Sequence, residues 1–248
     1  MRTIPPPGRL YDFSGLDTAA VVLYVGIVAF FSLAGTLLVP LLRPFFGDPA
    51  SATFAVNLAF YTAVGVVALT ASRTVVSRDL RILATRPWFT LMMVPLSVVA
   101  MLVLSVLFVT ITGTPRSSEN QLAVENLVQQ IPPWLVIPLL VVVGPFVEEY
   151  IFRHLLIGKL SKRVNIWICC AASVFLFSFI HVVGREGIEL PALAPYLGMG
   201  VVLVAVYVWT GKNVMFSYFV HASKNLLAAI LIYAIPPDLI NQLQQLSP

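Results

Sequence analysis

Charge is scarce in this sequence. Asp, Glu, Lys and Arg make up only 10% of its 248 residues, 59% are hydrophobic, and the mean hydropathy is +0.93. A soluble domain carries about 25% charged residues, so this chain lacks the stock to cover a water-facing surface. Cysteine is nearly absent: Cys169 and Cys170 are the only two and are adjacent. Neighbouring cysteines rarely bridge, which excludes a disulfide scaffold and leaves two small packing residues in an apolar span. A basic cluster is missing too. The net charge of +4 is spread between apolar segments, which argues against a nucleic-acid partner.

Long apolar runs are what the chain has in abundance. A bilayer-crossing helix needs about 20 mostly apolar residues. Seven segments meet that length, at 18–42, 51–72, 88–112, 134–158, 165–183, 190–209 and 213–235. They predict an all-α, polytopic transmembrane bundle lying in the cell membrane, with the lipid bilayer as its main partner. The polar stretch from Pro115 to Pro133 carries Leu122, Val124, Leu127, Val128 and Ile131 at spacings that suit a short interfacial helix. Ser32 and Ala34 resemble a signal-peptide cleavage site, yet the apolar run continues to Leu42, so the first span is expected to be retained. With the N-terminus inside, ten Lys and Arg residues fall on the cytoplasmic side (Arg2, Arg9, Arg73, Arg78, Arg81, Arg86, Lys159, Lys162, Arg163, Lys212). Three fall outside (Arg43, Arg116, Arg185), which predicts N-in, C-out. The chain then divides into an N-terminal membrane region, 1–133, a second membrane region, 134–235, and a polar tail, 236–248.

Nine of the eleven acidic residues, Asp17 and Asp79 among them, fall by this reading in loops, ends or the interfacial segment. Glu148 and Glu149 are the exceptions, and His154, His181 and His221 also lie within or beside spans. Ionisable groups inside a membrane cost several kcal/mol, in the range of about 3 or more, unless paired or wetted, so they point to function. Glu149 and Arg153 are four apart and can pair along a helix, as are Phe177 and His181, and His221 and Asn225. Each has a plain explanation taken singly. Glu149 with Arg153 can be a structural pair, a membrane histidine a bond between helices, and Asn225 interhelical glue. Lys224 is assigned no role.

Together the set suits hydrolysis of an amide by water. Glu148 would act as base on a water that His181 also holds, while His221 and Asn225 donate to the oxygen that gains charge. No serine or cysteine nucleophile stands beside a base, although Ser178 and Ser217 are near the histidines. Glu148, His181 and His221 also make a catalytic zinc set with water in the fourth place. No His-Glu-x-x-His helix exists, and the neutral Asn225 amide suits a glutamate-activated water better. Zinc stays open as the alternative. Other classes stay open too: a proton- or ion-coupled carrier, although no inverted repeat is found, or a non-catalytic immunity or scaffolding protein.

Glu148-Glu149-x-x-x-Arg153, Phe177-x-x-x-His181 and His221-x-x-x-Asn225, in this order and each within a predicted span, resemble the three motifs of the CPBP intramembrane proteases. That family includes the type II CAAX prenyl endopeptidases and bacterial proteins tied to bacteriocin processing or self-immunity. The resemblance covers about residues 134–230. It implies an intramembrane endopeptidase acting on a membrane-associated peptide or protein, with a helical core and an active site sunk in the bilayer. By similarity Glu148 is the catalytic carboxylate, His181 its partner, and His221 with Asn225 complete the site. Glu149, Arg153 and Phe177 would support them. His154 departs from the glycine many relatives have after the arginine, and is not read as catalytic.

Overall fold

The computed structural model describes residues 10–113, 118–184, 187–188 and 192–234. The polar tail 236–248 and most of the predicted outer basic residues lie outside them. Eight helices are described: α1 (Gly15–Phe46), α2 (Pro49–Ala84), α3 (Pro87–Thr112), α4 (Glu119–Gln130), α5 (Pro133–Lys162), α6 (Ile166–Ile180), α7 (Leu193–Trp209) and α8 (Val214–Ala234). Apart from these, β1 (Val183–Gly184) and β2 (Gly187–Ile188) form a two-residue antiparallel pair. The chain is an all-α, multi-pass membrane protein.

Each of the seven predicted spans coincides with a helix. Four of them, α2, α3, α5 and α8, are long and apolar enough to cross a membrane. The apolar stretches of α6, α7 and the Gly15–Ala29 part of α1 are shorter. At 36 residues α2 is about 54 Å long, beyond the roughly 30 Å hydrocarbon layer, and its last third extends past the predicted span end at residue 72. It starts where Asp48 accepts the Ser51 N–H at 2.8 Å and Pro49 supplies a first-turn residue that needs no donor. The interfacial segment folds as α4, capped by Ser118, whose Oγ accepts the Gln121 N–H at 3.1 Å. Leu127, Val128 and Ile131 are buried with Phe54, Val136 and Leu139, while Leu122 is exposed.

Helix α5 runs through the centre. Pro138 and Pro145 have no N–H to donate, and the hydrogen-bond register slips to i→i+5 over Pro138–Val143 and again over Glu149–Lys159. Its Val147, Tyr150, Ile151, Phe152 and Leu155 form the core with Val64 and Ala68 of α2, Met101 of α3, Phe177 of α6, Leu203 of α7 and Phe216 and Val220 of α8. Three helices bearing the predicted site residues, α5, α6 and α8, are thus packed around shared apolar layers. Helix α3 lies against α7 so closely that a Cβ at Gly198 would stand 2.6 Å from the Ser105 backbone nitrogen.

Candidate active site

Glu148 ends the short regular stretch Gly144–Glu148 of α5, just before the second register slip. His181 closes α6 at its C-terminal cap, and His221 sits two turns into α8. The bundle brings these three together. Glu148 Oε2 is 3.9 Å from His181 Nε2 and 3.7 Å from His221 Nε2.

The histidines are oriented from behind. His181 Nδ1 lies 2.7 Å from the Phe177 carbonyl oxygen, which can only accept, so Nδ1 carries the proton. His221 Nδ1 lies 2.9 Å from Glu149 Oε1 and donates to it. In the neutral imidazole the remaining nitrogen, Nε2, then holds a lone pair, and both lone-pair nitrogens face the same oxygen of Glu148. Rings hold His181 further. It stacks on Tyr196 at 4.6 Å between centroids and tilts against Phe177 at 4.7 Å. The Tyr196 hydroxyl is 3.2 Å from Ser118 Oγ, which ties this wall of the site to the start of α4.

The two glutamates differ in surroundings. Glu149 accepts Ser217 Oγ–H at 2.5 Å as well as His221, and Arg153 Nε stands 3.4 Å away. Neither Glu149 nor Arg153 has any exposed side-chain surface, while Glu148 keeps 11% and His181 14%. Only Glu148 of the pair keeps exposed side-chain surface, whereas Glu149 is enclosed and hydrogen-bonded to His221. The Arg153 guanidinium lies over the Phe177 ring at 4.4 Å, so the expected supporting roles of Arg153 and Phe177 meet in one contact.

Asn225 is one turn beyond His221, and its Nδ2 donates to the Leu140 carbonyl at 2.9 Å. That carbonyl lies in the first slipped stretch of α5. Asn225, one of the two expected donors to a developing oxyanion, is therefore engaged with α5 through one of its two N–H groups. The other expected donor, His221, spends its Nδ1–H on Glu149 and turns a lone pair to Glu148, so in this tautomer it has no N–H to give. His154 is fully buried between the Tyr11 and Tyr150 rings, at 5.8 and 5.7 Å, with no hydrogen-bond partner among the described residues. It does not meet Glu148. Among the described residues, no three or more His, Cys, Asp or Glu side chains are gathered closely enough to hold a metal ion. The zinc reading of Glu148, His181 and His221 rests on donor type alone.

The sequence places Ser217 near His221 without giving it a role, and it does not single out Tyr196. Ser217 had a signal: it precedes His221 by four residues on α8 and so shares its face. Tyr196 had a weaker one, a hydroxyl in an apolar span that needs a partner.

Residues 130–227 match the family described as "Type II CAAX prenyl endopeptidase Rce1-like". The chain is 30% identical over 119 residues to the "Putative membrane peptidase YdiL" of Bacillus subtilis, covering 48% of this chain and 45% of that protein. It is 27% identical over 145 residues to the "Membrane-embedded CAAX protease MroQ" of Staphylococcus aureus, covering 56% and 55%. The chain thus spans about half the length of the curated relatives it matches. No solved structure matches. The family match lies over the stretch that holds the three motifs.

Proposed function

We propose that this membrane protein, with its Rce1-like segment at 130–227, is an intramembrane endopeptidase that hydrolyses a peptide bond in a membrane-associated peptide or protein. One observation carries the reading. Two histidine nitrogens lie 3.9 and 3.7 Å from the same carboxylate oxygen of Glu148, while each histidine is oriented by a separate acceptor at its other nitrogen. A water among these three atoms has two hydrogens to give and three acceptors to give them to. Glu148 takes a proton as the water oxygen attacks the scissile carbonyl. The carbonyl oxygen takes the charge, and the second N–H of Asn225 is the neutral donor on this side. Collapse of the intermediate expels the amine, which takes the proton from Glu148, leaving a carboxylic acid and an amine and returning Glu148 to its carboxylate.

Activation by the carboxylate is favoured because Asn225, one turn from His221, is a poor zinc ligand and a good neutral donor to an oxyanion; zinc on Glu148, His181 and His221 is the alternative that the test includes. The CAAX protease names of the relatives suggest prenylated C-terminal peptides as the first substrates to try. The test uses purified protein in lipid nanodiscs with a library of membrane-anchored peptides, prenylated and not, scored by mass spectrometry. One arm uses protein stripped of metal and checked by elemental analysis. The expected result is cleavage at a defined bond that survives stripping. Activity lost on stripping and restored by equimolar zinc overturns the metal-independent step, and folded protein that cleaves nothing overturns the peptidase reading.

A further inference from the structure

Two acidic residues that the sequence places outside the spans are fully buried at one end of the bundle. Asp79, in the last turns of α2, accepts the Val214 N–H at 2.6 Å, and its carbonyl accepts Asn213 Nδ2–H at 3.3 Å. Val214 is the first residue of α8, the helix that carries His221. Beside it Arg78 donates to Asp79 Oδ1 at 2.7 Å and to the Lys212 carbonyl at 3.4 Å. The turn so gripped contains Gly211 and Lys212 at φ 72° and 63°, a conformation a lysine adopts only where its surroundings impose it. Lys212 Nζ in turn donates to Ser161 Oγ at 2.8 Å, tying the start of α8 to the end of α5. Asp17, in the first turn of α1, grips α5 itself: it accepts Lys159 Nζ–H at 2.6 Å and the Tyr150 hydroxyl.

We propose that Asp79 is a positioning residue for the reaction, with Asp17 as its counterpart on α5; the proposal rests on the peptidase reading. Asp79 satisfies a backbone donor that is buried at a helix start and has no partner within the helix. It thereby fixes where α8 begins. His221 is seven residues on, about 10 Å along a rigid helix, so a shift at Val214 is carried to His221 Nε2. A misplacement of about 1 Å can cost on the order of 100-fold in rate. Both carboxylates belong to helices that precede the family-matched segment, which gives that part of the chain a task in the chemistry.

The test compares Asp79→Ala, Asp79→Asn, Val214→Pro and, as a control at the other end of α2, Asp48→Ala. Two readouts are taken on monodisperse protein: kcat and KM for a membrane-anchored peptide, and hydrogen exchange of the first-turn amides of α8. Asp79→Ala is expected to lower kcat by about tenfold or more with KM within about twofold, and to speed exchange. Asp79→Asn, whose amide oxygen still accepts from Val214, should stay within about threefold of the parent, and Asp48→Ala should match it. Parent-like kcat and exchange in Asp79→Ala overturn the proposal, as does a loss that only follows the folded fraction. If Asp79→Ala does not fold, Val214→Pro decides by the same criteria, since it removes the same donor at a helix position that tolerates proline. If the parent cleaves no peptide, the peptidase reading falls. Exchange alone then judges the clamp: faster in Asp79→Ala supports it, unchanged overturns it.

Discussion

Helices α3 and α5 are both long and apolar enough to cross a membrane, yet they occupy opposite places. The more hydropathic one, α3, at 2.6 against 2.0, has 22% of its spanning window buried in protein, whereas α5 has 61%. In water the apolar helix would be the inner one. In lipid the order reverses, because hydrocarbon solvates Leu and Val as well as the protein interior does, while charged groups need protein partners. From Pro87 to Thr112 there is no charged residue, and Leu91, Met92, Val103, Val106 and Ile111 are exposed. Helix α5 carries Glu148, Glu149, Arg153 and Lys159, all buried, and only Lys162 at its very end is exposed. Hydropathy puts both helices in the bilayer; the rare charges decide which one becomes the centre.

Breaking that arrangement on α5 should have the larger effect. Arg153→Ala leaves Glu149 as a buried charge without its cation, a change that costs about 3–5 kcal/mol when a buried pair is broken. The expected outcome is a steep fall in folded, monodisperse protein on size exclusion. A yield equal to the parent would mean that Ser217 and His221 alone hold Glu149. On α3 the two faces should separate. Gly198→Ala drives a Cβ into the Ser105 backbone on the covered face, and overpacking of this kind costs about 1–3 kcal/mol. Val103→Ala, on the lipid face, should stay within about 0.5 kcal/mol. Thermal unfolding midpoints in one detergent check both, and equal shifts would erase the distinction between the faces.

Much of this arrangement is legible in the amino-acid sequence. The seven apolar runs each form a helix, and the i, i+4 spacings place Glu149 with Arg153 and the Phe177 carbonyl with His181. Asn225 is legible only in part. Its partner is the Leu140 carbonyl, in a stretch whose shifted register is hinted at by Pro138 but not given by it. Burial of Asp17 and Asp79 is not legible at all. Their partners, Lys159 and Val214, are more than 130 residues away in the chain, and local hydropathy carries no trace of such contacts. The choice of Glu148 over its neighbour rests first on the motif resemblance, and the difference in exposure supports it.

The central claim is that Glu148 activates the water while Glu149 holds His221. Its most direct test is the cleavage rate of one membrane-anchored peptide by Glu148→Gln and Glu149→Gln, each measured on folded, monodisperse protein. Glu148→Gln keeps the shape and removes the base, so its rate should fall by about 100-fold or more, the range of general-base catalysis, with folding unchanged. Near-parental cleavage by Glu148→Gln, together with a dead Glu149→Gln that still folds, would contradict the account and reverse the roles of the two carboxylates.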